Sequence, residues 1–174
     1  CWICLESEGG ELLRGCECRG SAGSVHVARI IEANRHRKEK RSECPTCKQR
    51  FIGKLAMVTA EARVQESQSS RSFDAVAQCR DVDDLARAHL EQGNHDEALR
   101  LYRQNLRRII EQCGHEHLLV ADTQNNIACV LQNQGKYQEA LEMHRKVLAT
   151  REKVLGPEHL DTAQTQNNIA IVLK

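Results

Sequence analysis

Aromatic residues are scarce: two Phe, two Tyr and one Trp make up 3% of the 174-residue chain. A single large apolar core draws on more of them, so the scarcity points to a helical repeat or a domain held by metal. No apolar run approaches the ~18 residues that would cross a membrane, which excludes a spanning helix in this chain. Charge of one sign is not in excess either. The formal net charge of +1 speaks against a nucleic-acid binder or an acidic-tail protein. A secretory signal pattern is missing as well. The sequence opens at Cys1 without Met and stops inside a repeat, so we expect a fragment of a longer intracellular, cytoplasmic protein.

What the chain has in quantity is cysteine. Six of nine fall in the first 47 residues, mostly as close pairs: "CWIC" (Cys1, Cys4), "CEC" (Cys16, Cys18) and "CPTC" (Cys44, Cys47). Without a secretory signal, close pairs plus a spaced histidine read as zinc ligands rather than as a disulfide framework. A C-x2-C turn places two thiolates on one tetrahedral zinc, and two such turns from distant parts of the chain close a site. The histidine is His26, in "HVAR", and three residues later stands Arg29 where a further ligand is wanted. Arginine is a cation with no lone pair to offer. His36 lies two helical turns beyond Arg29, about 10 Å away, and is too far to substitute. Water or Glu32 could complete the coordination. No general base is placed beside the site, so it reads as a damaged structural centre rather than a hydrolase.

This pattern resembles the RING-CH (variant RING) family of ubiquitin ligases: C-x2-C, a loop, C-x-C, seven residues, H-x2-C, a loop, C-x2-C. "CRGSAG" before the histidine also matches that family's wording. A chance cluster of buried thiols and a PHD finger account for the spacing less well. The resemblance implies interleaved ligand pairs in a cross-brace fold. Cys16, Cys18, Cys44 and Cys47 would form one tight zinc site. Cys1, Cys4 and His26 would form a second, weakened by Arg29. It also implies a shallow groove for a ubiquitin-conjugating enzyme, to which Ile3, Pro45 and Lys48 would contribute. Two positions depart from the family: Ala33 stands where an aromatic is expected and Ser24 where a bulky apolar residue is expected. The basic run Arg35 to Arg41 lacks interleaved aromatics and reads as a solvated helix end.

Residues 53–78 read as a helical connector. "GKLAMVTAEARVQESQ" has apolar Leu55, Val58 and Ala62 at helical spacing, and the polar "SQSSRS" after it is the candidate hinge.

From residue 79 to 174 the chain repeats itself. The segment starting at Gln92 aligns without a gap to the one starting at Gln134, an offset of 42 residues. Each unit predicts two helices, with a glycine turn between them (Gly135) and a glycine, then Pro157, after the second. Ala98 and Ala140 permit close approach of helices. One helix hairpin cannot bury its own apolar stripe, so neighbours must stack. The units resemble tetratricopeptide repeats of the long kinesin-light-chain form, on "NNIA", "QGKYQEAL" and "REKVLGPEHLDTA". That resemblance implies a concave groove lined by first helices, with Asn125, Asn126, Asn133, Asn167 and Asn168 as candidates to grip a peptide backbone. Alternatively, one Asn of each pair bridges neighbouring helices. Cys79, Cys113 and Cys129 read as small core residues.

The expected fold is therefore mainly α: a small zinc-bound cross-brace RING-CH domain over residues 1–52, the connector, and an antiparallel helix-hairpin solenoid over 79–174. The expected function is that of a RING-type ubiquitin ligase whose repeats recruit a protein or peptide. The alternative is a non-catalytic interaction scaffold with a degenerate zinc domain.

Overall fold

The 42-residue period of the sequence is carried by the backbone. In the computed structural model, Gly93 and Gly135 have φ of 78° and 76°, and Gly114 and Gly156 have φ of 80° and 92°. These left-handed conformations recur at the two ends of each second helix, where a side chain would be strained. The structure describes residues 12–14, 24–26, 30–32, 43–44, 49–69 and 75–174. Within these, helices dominate. They are α1 (Gly53–Ser69), α2 (Ala75–Glu91), α3 (His95–Cys113), α4 (Leu118–Asn133), α5 (Tyr137–Leu155) and α6 (Leu160–Val172). Two short antiparallel strands, β1 (Leu12–Arg14) and β2 (Ser24–His26), pair Leu12 with His26 and Arg14 with Ser24. No described helix is long and apolar enough to cross a membrane.

The chain divides into two compact units, Cys1–Gly93 and Asn94–Lys174. In the second unit, α3 packs on α4, α4 on α5 and α5 on α6. Asp96 and Glu97 in the first turn of α3, and Glu139 in that of α5, favour the positive end of the helix dipole. The end of α4 is closed by a Schellman turn: the Lys136 N–H donates to the Leu131 carbonyl, and the Gly135 N–H to that of Gln132, both at 2.9 Å. Histidines start α4 and α6. His117 Nδ1 accepts from the Leu119 N–H and His159 Nδ1 from the Asp161 N–H, each at 3.2 Å. Ala98, Ala121, Ala128 and Ala140 are fully buried, which brings the helix axes close; Ile109, Ile127, Leu131 and Val147 fill the space around them. Cys79 is buried, while Cys113 and Cys129 are half-buried.

In the first unit α1 packs on α2. α1 runs on through Ser69, so the first three residues of the predicted "SQSSRS" hinge are helical, and α1 and α2 belong to the same compact body; residues 70–74 lie outside the described residues. The buried stripe of α1 is Leu55, Thr59, Ala60, Arg63 and Val64, rotated from the predicted Leu55, Val58, Ala62 face, whose last two members are only half-buried. Two polar residues are inside because each has a partner. Thr59 Oγ1 donates to the Leu55 carbonyl at 2.8 Å, and Arg63 meets acids of α2.

Candidate functional site

Two regions carry the candidate residues, one in each unit. In the first, Cys44 of "CPTC" stands beside a short antiparallel bridge. Glu43 and Arg50 form an antiparallel bridge, and the Cys44 N–H donates to the Gln49 carbonyl at 2.8 Å. Cys44 is 2% exposed. His26 is placed by β2, opposite Leu12. Cys1, Cys4, Cys16, Cys18 and Cys47 lie outside the described residues, as do Ile3, Pro45, Lys48, Arg29 and Ala33. Among the described residues, no three His, Cys, Asp or Glu side chains come together as a metal site. The predicted helix after His26 is represented by residues 30–32, which are helical, with Ile30 fully buried and Glu32 exposed.

In the second unit the helical period leaves one face of α4 unburied: Asp122, Asn125, Asn126, Cys129 and Asn133. The corresponding face of α6 carries Gln164, Asn167, Asn168 and Ile171. The two are joined by a side-chain hydrogen bond, in which Asn168 Nδ2 donates to Asn125 Oδ1 at 3.1 Å. The first Asn of one pair thus bridges to the second Asn of the next. Asn126 is half-buried, and Asn133 and Asn167 are exposed. Burial pushes the Cys129 thiol pKa up, so this cysteine stays protonated and unreactive.

Sequence reasoning missed the residue that sets the spacing of these helices. Arg151 of α5 is buried, 7% exposed. Its Nη2 donates to Asp122 Oδ1 of α4 at 2.6 Å. Its Nη1 donates to the Asp161 carbonyl and to Thr165 Oγ1 of α6, both at 2.9 Å. One planar guanidinium therefore spans the two first helices that meet at Asn125 and Asn168, a role its rigid fork suits. The signal was present in the repeat alignment: Arg151 stands where the preceding unit has buried Ile109. Likewise His144 stands at the place of buried Tyr102 and is 0% exposed. Burial, and secondarily the Arg151 guanidinium, hold its pKa below the usual histidine value, so the ring is neutral.

Lys153 Nζ, in the last turn of α5, lies 2.5 Å from Oε1 of Glu116 in the turn before α4, which holds that carboxyl below its usual pKa. Gln134 Nε2 donates to Asp96 Oδ1 at 2.8 Å, tying the end of α4 to the start of α3.

Comparison with known proteins matches both halves. The tetratricopeptide repeat model covers residues 78–153 and 120–174, and the RING-variant domain model covers residues 1–47. No curated protein matches the chain. Among solved structures, BtubC (BKLC) from P. vanneervenii superposes with a TM-score of 0.60 at 19% identity, covering 84% of this chain and 62% of its own. A putative kinesin light chain with nearly identical TPR-like repeats from Podosopora anserina superposes with a TM-score of 0.57 at 22% identity, covering 84% and 64%. A second crystal structure of that protein, a variant form, gives 0.58 and 20%, with the same coverage. These likenesses concern the fold, and the chain spans a little under two thirds of the length of the structures it matches. They also cover more of this chain than residues 78–174 alone supply, so the likeness reaches upstream of the matched repeats.

Proposed function

Because this chain belongs to the tetratricopeptide-repeat family and carries a RING-variant domain over residues 1–47, we propose that it is a substrate-recruiting ubiquitin ligase. The observation that carries the reading is the joining, in one chain, of a protein-binding repeat array to a domain type that receives conjugating enzymes. Zinc would be held tightly by Cys16, Cys18, Cys44 and Cys47, and weakly by Cys1, Cys4 and His26, with Arg29 in place of the missing ligand. The Glu43–Arg50 bridge and the Cys44 N–H bond to the Gln49 carbonyl support the first assignment. Zinc here supplies folding energy, since its ligands are brought together only in the folded domain. Ile3 and Pro45 would offer apolar contact to a conjugating enzyme, and Lys48 would offer a cation to ubiquitin. The ligase positions the thioester for attack by a lysine and forms no covalent intermediate. The exposed Asn133 and Asn167, together with Asn126, would grip an extended peptide through carboxamides that both donate and accept. A cytoplasmic setting fits the thiol-rich zinc sites.

Arg29 favours a second reading, a non-catalytic scaffold in which only the repeats act. One assay separates the two: autoubiquitination with a panel of conjugating enzymes. The ligase reading expects weak transfer that Ile3→Ala abolishes. Burying such a side chain contributes about 1.5–3 kcal/mol, a large share of a weak encounter. The scaffold reading expects no transfer from the natural sequence, with activity emerging only in Arg29→Cys combined with Ala33→Trp.

A further inference from the structure

Where Phe51 and Ile52 lead into α1, the first unit has an open cleft of about 410 Å³ between α1 and α2. One side of it is apolar: Phe51, Ala56 and Ala88 line it, with Ile52 53% exposed. Arginines from three successive segments line the other side: Arg50, Arg63 of α1 and Arg87 of α2. All three turn to one carboxylate, Asp84 of α2. Arg63 Nη2 lies 3.0 Å from Asp84 Oδ2, and Arg87 Nη2 donates to Asp84 Oδ1. Arg50 Nη1 stands 3.6 Å from the same Oδ1, too far for a hydrogen bond. Arg63 is 6% exposed, and its Nε makes no hydrogen bond; Asp81 Oδ1 is 3.7 Å from it. A buried donor left without a hydrogen bond is uncommon. Each guanidinium carries five N–H donors, more in total than these two carboxylates can accept. The side chains of Arg50 and Arg87 are exposed, so their remaining donors are open to a ligand.

We propose that this cleft is a second peptide-binding site, in the other unit from the asparagine face of α4 and α6, and that it takes an acidic side chain flanked by apolar residues. The charge count selects a carboxylate. Three guanidiniums face the carboxylates of Asp81 and Asp84 within 4 Å, which leaves one positive charge. One carboxylate balances it, whereas a phosphate brings close to two negative charges at pH 7. Glu91, exposed in the last turn of α2, also lines the cleft and disfavours a dianion further. A nucleic acid is matched by a row of cations along its backbone, not by cations gathered at one point. The ligand carboxylate accepts from the outer N–H groups of Arg50 and Arg87, and its apolar neighbour covers Phe51 and Ile52. Arg63, held behind by Asp84, adds its charge where water screens it little. The site stands whether or not the zinc domain transfers ubiquitin.

Fluorescence anisotropy of the full chain with a labelled, end-blocked peptide, one glutamate between two leucines, tests this. The same peptide with glutamine or phosphoserine in place of glutamate is measured beside it. The glutamate peptide should bind at least about tenfold more tightly than the glutamine peptide, since bonds from guanidinium to carboxylate are charge-assisted. Arg50→Gln and Arg87→Gln should each weaken its binding by about fivefold. Arg50 makes no hydrogen bond to Asp84, so Arg50→Gln leaves the buried Arg63–Asp84 pair intact, and an unchanged unfolding midpoint checks this. Arg100→Gln, an exposed position of α3 in the other unit, should leave binding unchanged. Equal affinity for the glutamate and glutamine peptides overturns the proposal. Binding that ignores both Arg50→Gln and Arg87→Gln overturns it as well, by placing the peptide elsewhere. Tighter binding of the phosphoserine peptide than of the glutamate peptide overturns the choice of a single carboxylate.

Discussion

Asn168 donates its side-chain amide to the carbonyl oxygen of Asn125 at 3.1 Å, across two first helices and one residue out of step with the 42-residue period. The bond is therefore diagonal: each "NN" pair gives one member to the bridge. Asn125→Ala and Asn168→Ala should each lower stability by about 1 kcal/mol, and the double variant should cost little more than the larger single one, because both remove the same bond. Urea unfolding of the three variants measures this coupling. Asn167→Ala, at an exposed position, should change stability by less than about 0.5 kcal/mol.

Arg151→Ala should destabilise the chain by about 1–3 kcal/mol. Asp122 is half-exposed and can rehydrate, and Thr165 keeps its own bond to the Asp161 carbonyl, so neither partner is stranded. Arg151→Ile, which restores the apolar residue of the preceding unit, should recover a large part of the loss, as apolar replacement of buried charge often does. Urea midpoints of the two variants decide the ranking.

His144 makes stability depend on pH. Its folded pKa lies below the unfolded value of about 6.5, so the unfolded chain binds its proton first. Its stabilising contribution is complete above about pH 6.5 and is lost as pH falls from there through the folded pKa. Between pH 7 and pH 5 the natural protein should lose stability more steeply than His144→Phe. Parallel slopes in urea titrations at several pH values would remove His144 as the cause.

Metal analysis of the purified chain should find one zinc that resists a competing chelator and a second that exchanges readily. Arg29→Cys should raise the tightly held content toward two, because a fourth thiolate closes the weakened site. Two equivalent tight zincs in the natural sequence would contradict the assignment of Arg29.

Much of the repeat architecture was legible in the sequence because its signal is local. Ala98 and Ala140, Gly114 and Gly156 recur at one spacing, and each does the same work in the fold. Arg63 and Arg151 escaped because apolar periodicity assigns charged residues to the surface. Their burial depends on Asp84, Asp122 and Thr165, which stand on other helices. The role of Asn125 and Asn168 was visible only as an alternative, since carboxamides serve a groove and a bridge equally well. The zinc ligands were read from spacing. Of them the structure describes Cys44, next to the Glu43–Arg50 bridge, and the strand position of His26.

The histidines that begin α4 and α6 fix a detail that spacing never reveals. Each Nδ1 accepts a backbone N–H, so that nitrogen must keep its lone pair, and in the neutral ring the hydrogen resides on Nε2. His117 and His159 are therefore locked in the same tautomer, 42 residues apart, and both present a donor rather than an acceptor outward. Nitrogen chemical shifts of the two rings would report, independently for each helix, whether its first turn is intact.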